Sequence, residues 1–138
     1  MPALDSLADT SLAVALVLTS HEAYERANRA VGDRPLRLAA HAALETYSVL
    51  TRLPGDARLT ARDAARLIRV RFSTPVLLPR ASSVALIDEL ARLGIVGGAV
   101  YDALIAATAR AVGGVLLTRD RRAAATYSLL QVQVEIVG

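Results

Sequence analysis

The sequence contains no cysteine and only two histidines, His21 and His41. Without thiols the chain can form no disulfide, no thiolate metal site and no cysteine nucleophile. Two histidines are also too few for a histidine-built zinc site. We expect neither to act as a general base, because His21 opens a predicted helix and His41 only precedes an acid, Glu45, by one turn. A metal site in this chain should therefore be built from oxygen ligands.

Lysine is also absent, so all 16 basic residues are arginine. GC-rich codon usage favours arginine and alanine, and we take it as the origin of this bias. The net charge of +3 does not by itself indicate a nucleic-acid partner, although arginine binds phosphate well through its planar fork. Aromatic residues make up only 4% of the chain, so we expect base stacking to be a minor part of any recognition.

Long apolar segments are missing too. The longest runs, residues 12–18 and 111–117, are too short to span a bilayer. No basic residue precedes Arg26, so the N-terminus lacks the charged start of a signal peptide. With 138 residues the chain has room for one domain, spanning residues 1–138. These features predict a one-domain cytoplasmic protein with no membrane partner.

Short apolar segments alternate with helical patterns along the chain. The patterns predict strands at residues 3–8, 36–40, 75–79, 115–118 and 132–137, and helices at residues 11–18, 21–31, 41–53, 61–72, 82–93, 99–112 and 121–126. Such alternation predicts an α/β fold with a mainly parallel sheet covered by helices on both faces. Ligands of these folds bind beyond the carboxyl ends of the strands.

Four acids lie where such a site would form. Asp9 ends the first predicted strand, and Asp120 follows the strand "VLLT". Asp102 lies in the first turn of the helix at 99–112, and Glu45 lies within the helix at 41–53. If these carboxylates converge, each pair about 4 Å apart repels by roughly 1 kcal/mol in water and about 4 at an effective dielectric of 20. A compensating cation is then required, and oxygen ligands suit Mg²⁺ or Mn²⁺.

Each acid also has a purely structural alternative. Asp9 in "ADTS" and Asp120 in "TRDRR" fit the N-cap position of a helix, and Glu45 fits a solvated helix position. Asp102 would gain some stabilisation from a helix N-terminus. Its helix, "AVYDALIAATARAV", is nevertheless apolar on nearly all sides and should be buried, so this carboxylate needs a partner or a cation.

Three stretches of the chain resemble the PIN-domain ribonucleases, specifically the VapC toxins of bacterial VapBC toxin–antitoxin pairs. "ADTSLAVALV" is similar to the first acidic motif of that family with its following serine. "LAAHAALETYSVLTRLPG" is similar to the segment that carries the second acid on a helix. "VYDALIAATARAVGGVLLTRD" is similar to the segment with the third and fourth acids, and it is the most specific of the three.

The resemblance implies a fold, an activity and a set of site residues. The fold is the PIN domain, a three-layer α/β/α sandwich with four to five mainly parallel strands. The activity is Mg²⁺- or Mn²⁺-dependent endonucleolytic cleavage of RNA, with tRNA or rRNA as target. The implied partners are a second copy of the chain and a VapB antitoxin that occupies the groove, in a heterotetramer or larger assembly. The implied site residues are the metal-holding acids Asp9, Glu45, Asp102 and Asp120 and the hydroxyl residues Ser11 and Thr118.

Two departures from the family pattern bear on the site. Asp5 interrupts a first strand that is usually β-branched, and it is a competing first ligand. Arg122 stands where many relatives carry another acid or an asparagine, which favours one metal ion over two in the resting site. Arginines beside the fourth acid or along one face of the helix at 61–72 are candidate RNA contacts: Arg119, Arg121, Arg122, Arg62, Arg66 and Arg69. The alternative for the helical set is a solvated charged face.

Two other functions stay open at this point. A phospho-accepting signalling module also keeps acids at strand ends, but such modules rely on a lysine that this chain lacks. A PIN-like protein that has lost catalysis and acts only as a binding partner is the other alternative. The four retained acids argue against it, whereas the poor first strand and Arg122 argue for it.

Overall fold

The computed structural model describes residues 5–138 and contains one sheet of four parallel strands. The strand order is β2-β1-β3-β4, so β1 and β3 are the two central strands. In chain order the elements are β1 (Ser6–Ala8), α1 (Thr10–Val17), α2 (Tyr24–Val31), β2 (Arg37–Leu38), α3 (Ala40–Thr51), a 3₁₀ turn (Gly55–Ala57), α4 (Ala61–Phe72), α5 (Arg80–Leu93), α6 (Ala99–Ala111), β3 (Val115–Thr118), α7 (Arg121–Leu129) and β4 (Gln133–Ile136). The predicted α/β class with a parallel sheet is confirmed.

The register of the central strands places their carboxyl ends side by side. Ala8 of β1 lies opposite Leu117 of β3 and Leu38 of β2. All residues of β1 and β3 are buried, as expected for strands covered on both faces, whereas β4 is an edge strand with mostly exposed residues. The loops that follow β1 and β3 therefore leave the sheet at the same edge.

The predicted strand at residues 75–79 is wrong. Only one isolated bridge forms there, between Val76 and Ala39, and Leu77 is 75% exposed. The prolines at 75 and 79 have no N–H to donate to a ladder, so they limit pairing to this single point. An apolar run bounded by prolines resembles a buried strand in sequence, but its backbone cannot complete one.

The other predicted elements are present, with shifted ends. The helix predicted from residue 21 begins at Tyr24, because His21 accepts the backbone N–H of Ala23 at its Nδ1 and forms a turn instead. The final helix extends to Leu129 rather than residue 126. The first strand begins at Ser6 within the described part of the chain, and the predicted strand residues 3 and 4 lie outside it.

Two glycines hold backbone positions that other residues would strain. Gly94 ends α5 in the left-handed conformation with a φ of 71°. Gly114 precedes β3 at a close approach of backbones, where a Cβ atom would lie 2.9 Å from the carbonyl oxygen of Asp5. The neighbouring N–H of Val115 donates to the same oxygen at 2.8 Å. Glycine at 114 thus lets β3 pair with β1 in its observed register.

The helices beside the sheet are apolar on their inner faces. Residues 12–17 of α1 are all buried, and α6 buries Ala103 and five residues from 105 to 109. These buried residues belong to the hydrophobic core beside the sheet. None of the helices in residues 5–138 combines the length and apolar character needed to cross a membrane.

Candidate active site

Asp9 lies at the carboxyl end of β1 and is almost completely buried, with 2% of its surface exposed. Its backbone N–H donates to the carbonyl of Leu117, which extends the pairing with β3 by one residue. The side chain caps α1 by accepting the N–H of Leu12 at 3.0 Å. The predicted N-cap role of Asp9 is therefore real, and it fixes the direction of the carboxylate.

Three hydroxyl groups also donate to the Asp9 carboxylate. Ser11 donates to Oδ1 at 2.7 Å, Tyr127 donates to Oδ2 at 2.8 Å, and Thr118 donates to Oδ2 through a short hydrogen bond. Burial raises the pKa of Asp9, and the donors from Thr118, Ser11, Leu12 and Tyr127 only partly oppose that effect. The site thus contains a buried carboxylate held by hydroxyl and amide groups and not by an ion pair.

Asp120 lies beyond the end of β3, at the same edge of the sheet. It caps α7 through Oδ1 alone, which accepts the N–H groups of Arg122 at 2.9 Å and Ala123 at 3.2 Å. The backbone N–H of Asp120 donates to Thr118 Oγ1 at 2.9 Å, so the hydroxyl of Thr118 links Asp9 to Asp120. The second carboxylate oxygen of Asp120 accepts no hydrogen bond within residues 5–138.

Asp102 is half-buried in the first turn of α6, and its carboxylate accepts no hydrogen bond from the described residues. Burial raises the pKa of Asp102 above its ordinary value, and the negative charges of Glu45, Asp9 and Asp120 raise it further. Only His41 acts in the opposite direction. Asp102 therefore belongs to an electrostatic cluster with Glu45, Asp9 and Asp120, and their joint ligation of a cation stays a prediction.

Glu45 lies on α3 and faces this cluster. Its Oε1 accepts the hydroxyl of Thr10 at 2.8 Å, and its Oε2 is 3.6 Å from Nε2 of His41, one turn earlier. The imidazole of His41 stacks on the ring of Tyr101, with centroids 5.2 Å apart and planes inclined by 10°. Glu45 is therefore not a freely solvated helix residue, because side chains from α1 and α3 orient both of its oxygens.

The chemistry of these groups fits a hard divalent cation. Within the described residues, the Asp102 carboxylate accepts no hydrogen bond, and one carboxylate oxygen of Asp120 accepts none. No arginine is among the groups that shift the pKa of Asp102, so the repulsion between these acids is not compensated by one. Within residues 5–138, however, no three acidic or histidine side chains are close enough to ligate one ion together. Shared ligation requires rotation of side chains, and Asp102 has no hydrogen bond within the described residues that would have to break.

Asp5, the competing first ligand, does not join the cluster. It lies at the amino end of β1 and lines a cavity of about 520 Å³ at the opposite edge of the sheet, beside Ser6, Arg34 and Arg37. Arg34 in that cavity is paired with Glu135 at 2.8 Å. This cavity is therefore remote from the four acids. We call the edge of the sheet where those acids lie, at the carboxyl ends of the strands, the acidic edge.

The arginines next to Asp120 differ in their surroundings. Arg121 and Arg122 are exposed in the first turn of α7. Arg119 is half-buried, its backbone N–H donates to Ser11 Oγ at 3.1 Å, and its Nε is buried without a partner in the described residues. Burial lowers the pKa of His21, and the charge of Arg119 lowers it further. Arg119 thus contacts the site through its backbone, while its charge acts on the start of α2.

The arginines of α4 form a separate exposed surface. Three arginines share one helical face: Arg62, Arg66 and Arg69. They make no ion pair within residues 5–138, and they are not among the groups that shift the pKa of Asp102. Their environment is that of a solvent-exposed charged face, the alternative given for them above.

Three residues of the site were not identified from the sequence. Thr10 directs Glu45, Tyr127 donates to Asp9, and Tyr101 stacks on His41. The signal for Thr10 was its place directly after the first acid. Tyr127 lies far from β1 along the chain, so no sequence pattern predicted its contact with Asp9.

The chain matches the family model described as "PIN domain" over residues 7–129. Ribonuclease VapC40 of Mycobacterium tuberculosis is 48% identical over 130 residues, which cover 94% of this chain and 96% of that protein. Ribonuclease VapC27 of the same species is 45% identical over 130 residues, covering 94% and 95%.

Solved structures have the same fold. VapBC2 from Rickettsia felis, bound to a DNA fragment from its promoter, gives a TM-score of 0.70 at 13% identity, covering 98% of this chain and 100% of that chain. FitAB bound to the IR36 DNA fragment gives 0.67 at 18% identity, covering 95% and 94%. The family match, the relatives and the fold agree, and the chain belongs to the PIN-domain family, among its VapC-type ribonucleases.

Proposed function

We propose that this protein is the toxin of a VapBC-type pair and cleaves RNA endonucleolytically with Mg²⁺ or Mn²⁺. The observation that carries the proposal is the environment of Asp102. A half-buried carboxylate with no donor, whose pKa is raised by burial and further by three other carboxylates, is costly for a fold to maintain. Such a group is expected where a cation and a phosphodiester meet during function.

Asp9, Glu45, Asp102 and Asp120 would hold the cation, which when bound neutralises charge on the phosphodiester and activates water. The remaining groups orient these acids. Ser11, Thr118 and Tyr127 hold the Asp9 carboxylate, and Thr10 holds Glu45. Preorganised side chains of this kind avoid the cost of ordering carboxylates during the reaction.

The arginines at the start of α7 are our candidates for binding the RNA backbone. Arg121 and Arg122 are exposed beside Asp120, where their charges oppose the helix dipole unless an anion is near. Arg119, Arg62, Arg66 and Arg69 are further candidates for phosphate contacts. Alanine at Arg121 or Arg122 should weaken RNA binding more at low salt than at high salt. An equal loss at both would assign these arginines a structural role.

We also propose tRNA or rRNA as the substrate, a VapB-type antitoxin as inhibitor and a homodimer as the free form. The proposals rest on the VapC relatives and on structural neighbours that are themselves named as VapBC2 and FitAB assemblies. Light scattering after size exclusion measures the oligomer. Growth arrest on expression, followed by mapping of RNA ends, identifies the cleaved RNA.

The central test is cleavage of structured RNA by the purified protein. We expect cleavage with Mg²⁺ or Mn²⁺ and none in EDTA, and we expect Asp102→Asn to abolish it. Asp88→Asn is the matched control, because Asp88 is an exposed acid of another helix, and it should cleave normally. Circular dichroism verifies that each variant is folded.

Two results would contradict the proposal. Full activity in folded Asp102→Asn would remove the acidic cluster from the reaction. A folded wild-type protein that binds RNA or antitoxin but cleaves nothing with either metal would favour the catalytically weakened binding protein. The arginine at 122, where many relatives carry an acid or an asparagine, is the feature that motivates this second candidate.

A further inference from the structure

We infer that Tyr101, stacked on His41, forms a platform for one unpaired nucleobase of the RNA next to the cleaved phosphate. This inference rests on the proposed function and adds to it a contact that reads the substrate through its base. Aromatic residues are few, so the sequence predicts little base stacking. The structure nevertheless brings one of those few tyrosines to the acidic edge.

The position of the Tyr101 ring carries the argument. Tyr101 directly precedes Asp102 in the first turn of α6, and its partner His41 lies 3.6 Å from the carboxylate of Glu45. The two rings are nearly parallel, at 10°, with centroids 5.2 Å apart. His41 therefore supports one face of the tyrosine and limits its rotation.

Tyr101 is open to solvent beside its contact with His41. The residue is 54% exposed although His41 stacks on its ring, so about half of its surface remains available to a ligand. An exposed aromatic ring held flat by a second ring is preorganised for stacking, because binding a third ring costs it little conformational freedom. Successive bases of single-stranded nucleic acid stack on such side chains.

The surrounding charges favour a base over other ligand groups at this position. Asp102 and the three carboxylates around it are all acidic, so an anionic phosphate or an acidic side chain would be repelled unless a cation accompanies it. A nucleobase is neutral and flat and carries its own π-face. A nucleotide bound with its phosphate at the acids therefore has a place for its base at Tyr101.

Binding of a short unstructured oligoadenylate in Ca²⁺, with the oligomer verified as intact on a gel, tests the platform while a cation compensates the acids. One adenine is replaced by 2-aminopurine, whose fluorescence falls on stacking, and the chain contains no tryptophan to interfere. Loss of one stacked base should weaken binding by about five- to 150-fold in Tyr101→Ala. Tyr101→Leu should lose as much, whereas Tyr101→Phe should bind and quench like the wild type.

Two controls separate stacking from other effects. Tyr47→Ala removes a tyrosine that is 37% exposed on α3, and it should leave binding unchanged. The slope of binding against salt should be the same for Tyr101→Ala and wild type, because no phosphate contact is removed. An oligomer with an abasic site at the probe position should bind both proteins equally.

The outcomes decide between the possibilities. Unchanged RNA binding, quenching and cleavage sites in folded Tyr101→Ala would overturn the platform while leaving the proposed function intact. Normal RNA binding with lost antitoxin binding would overturn it in favour of a protein contact. A wild-type protein that neither binds nor cleaves RNA would refute the proposed function and the platform together.

Discussion

Replacing Tyr127 by phenylalanine should reveal how the fold maintains a buried charge at Asp9. Tyr127 is 1% exposed, and its hydroxyl donates to Asp9 Oδ2 at 2.8 Å. The substitution removes this hydroxyl and keeps the ring, so packing is preserved. Asp9 then retains the three donors Ser11, Leu12 and Thr118.

The expected loss follows from the type of hydrogen bond. A bond to a charged acceptor contributes about 1.5–3 kcal/mol, and part of this is offset because phenylalanine has no hydroxyl to desolvate. We expect Tyr127→Phe to lower the free energy of unfolding by about 1–2 kcal/mol at neutral pH. For a chain of this length the melting temperature should fall by roughly 3–7 °C.

The loss should depend on pH with a defined sign. Burial raises the pKa of Asp9, so this group favours the folded state below the ordinary carboxyl pKa and loses that contribution as pH rises through its folded pKa. The Tyr127 hydrogen bond lowers that pKa, so its removal raises the pKa further. The stability deficit of Tyr127→Phe should therefore be largest at neutral pH and shrink as the pH falls and Asp9 becomes protonated.

Thermal melts followed by circular dichroism, in EDTA from neutral to acidic pH, measure this effect. Tyr47→Phe is the control, because the hydroxyl of Tyr47 makes no hydrogen bond within residues 5–138 and its loss should cost less than about 0.5 kcal/mol. In an Asp9→Asn background, Tyr127→Phe should cost less than it does in the wild type. A deficit that is absent, or equally large at all pH values and in both backgrounds, would refute the reasoning.

Three further predictions concern the site and the fold. Asp102→Asn should raise the melting temperature in EDTA, because the raised pKa of Asp102 means that its charge opposes folding at neutral pH. Added Mn²⁺ should raise the melting temperature of the wild type more than that of this variant. Glu89→Gln should lower the free energy of unfolding by about 1 kcal/mol at neutral pH, because it breaks the ion pair with Arg110. Arg110 lowers the pKa of Glu89, and below that pKa the substitution should cost nothing, so thermal melts at both pH values test it. Gly114→Ala should destabilise by about 1–3 kcal/mol in denaturant unfolding, because its Cβ would lie 2.9 Å from a carbonyl oxygen, whereas Gly98→Ala, with open space, should be neutral or stabilising.

The sequence predicted the elements that carry the acids because local physics determines them. The helix around Asp102 is apolar over three turns, and "VLLT" between a glycine pair and a capping aspartate admits little but a buried strand. Parallel pairing then brings Asp9 and Asp120 to one edge, since both follow central strands. The placement of Asp9 and Asp120 at the same edge could therefore be predicted without coordinates.

What the sequence could not provide is the side-chain network between distant elements. Tyr127 meets Asp9 from α7, and Thr10 meets Glu45 from α1, and neither contact leaves a periodic signal. The strand expected at residues 75–79 failed for a related reason. Its apolar residues suited burial, but the pairing depended on N–H groups that prolines lack and on a partner strand that ends at Leu38.

The alternatives of helix cap and site residue are compatible at Asp120. Capping uses only Oδ1 of Asp120, so the bonds to the α7 backbone hold the carboxylate in place while Oδ2 stays available. A cap contributes about 1 kcal/mol to stability, and asparagine caps a helix about as well as aspartate. Asparagine therefore keeps the structural role of Asp120 and removes its charge, whereas alanine removes both. Comparing the free energies of unfolding of Asp120→Asn and Asp120→Ala separates the effect of the cap from that of the charge. In the fold, the cap holds the charged carboxylate in position.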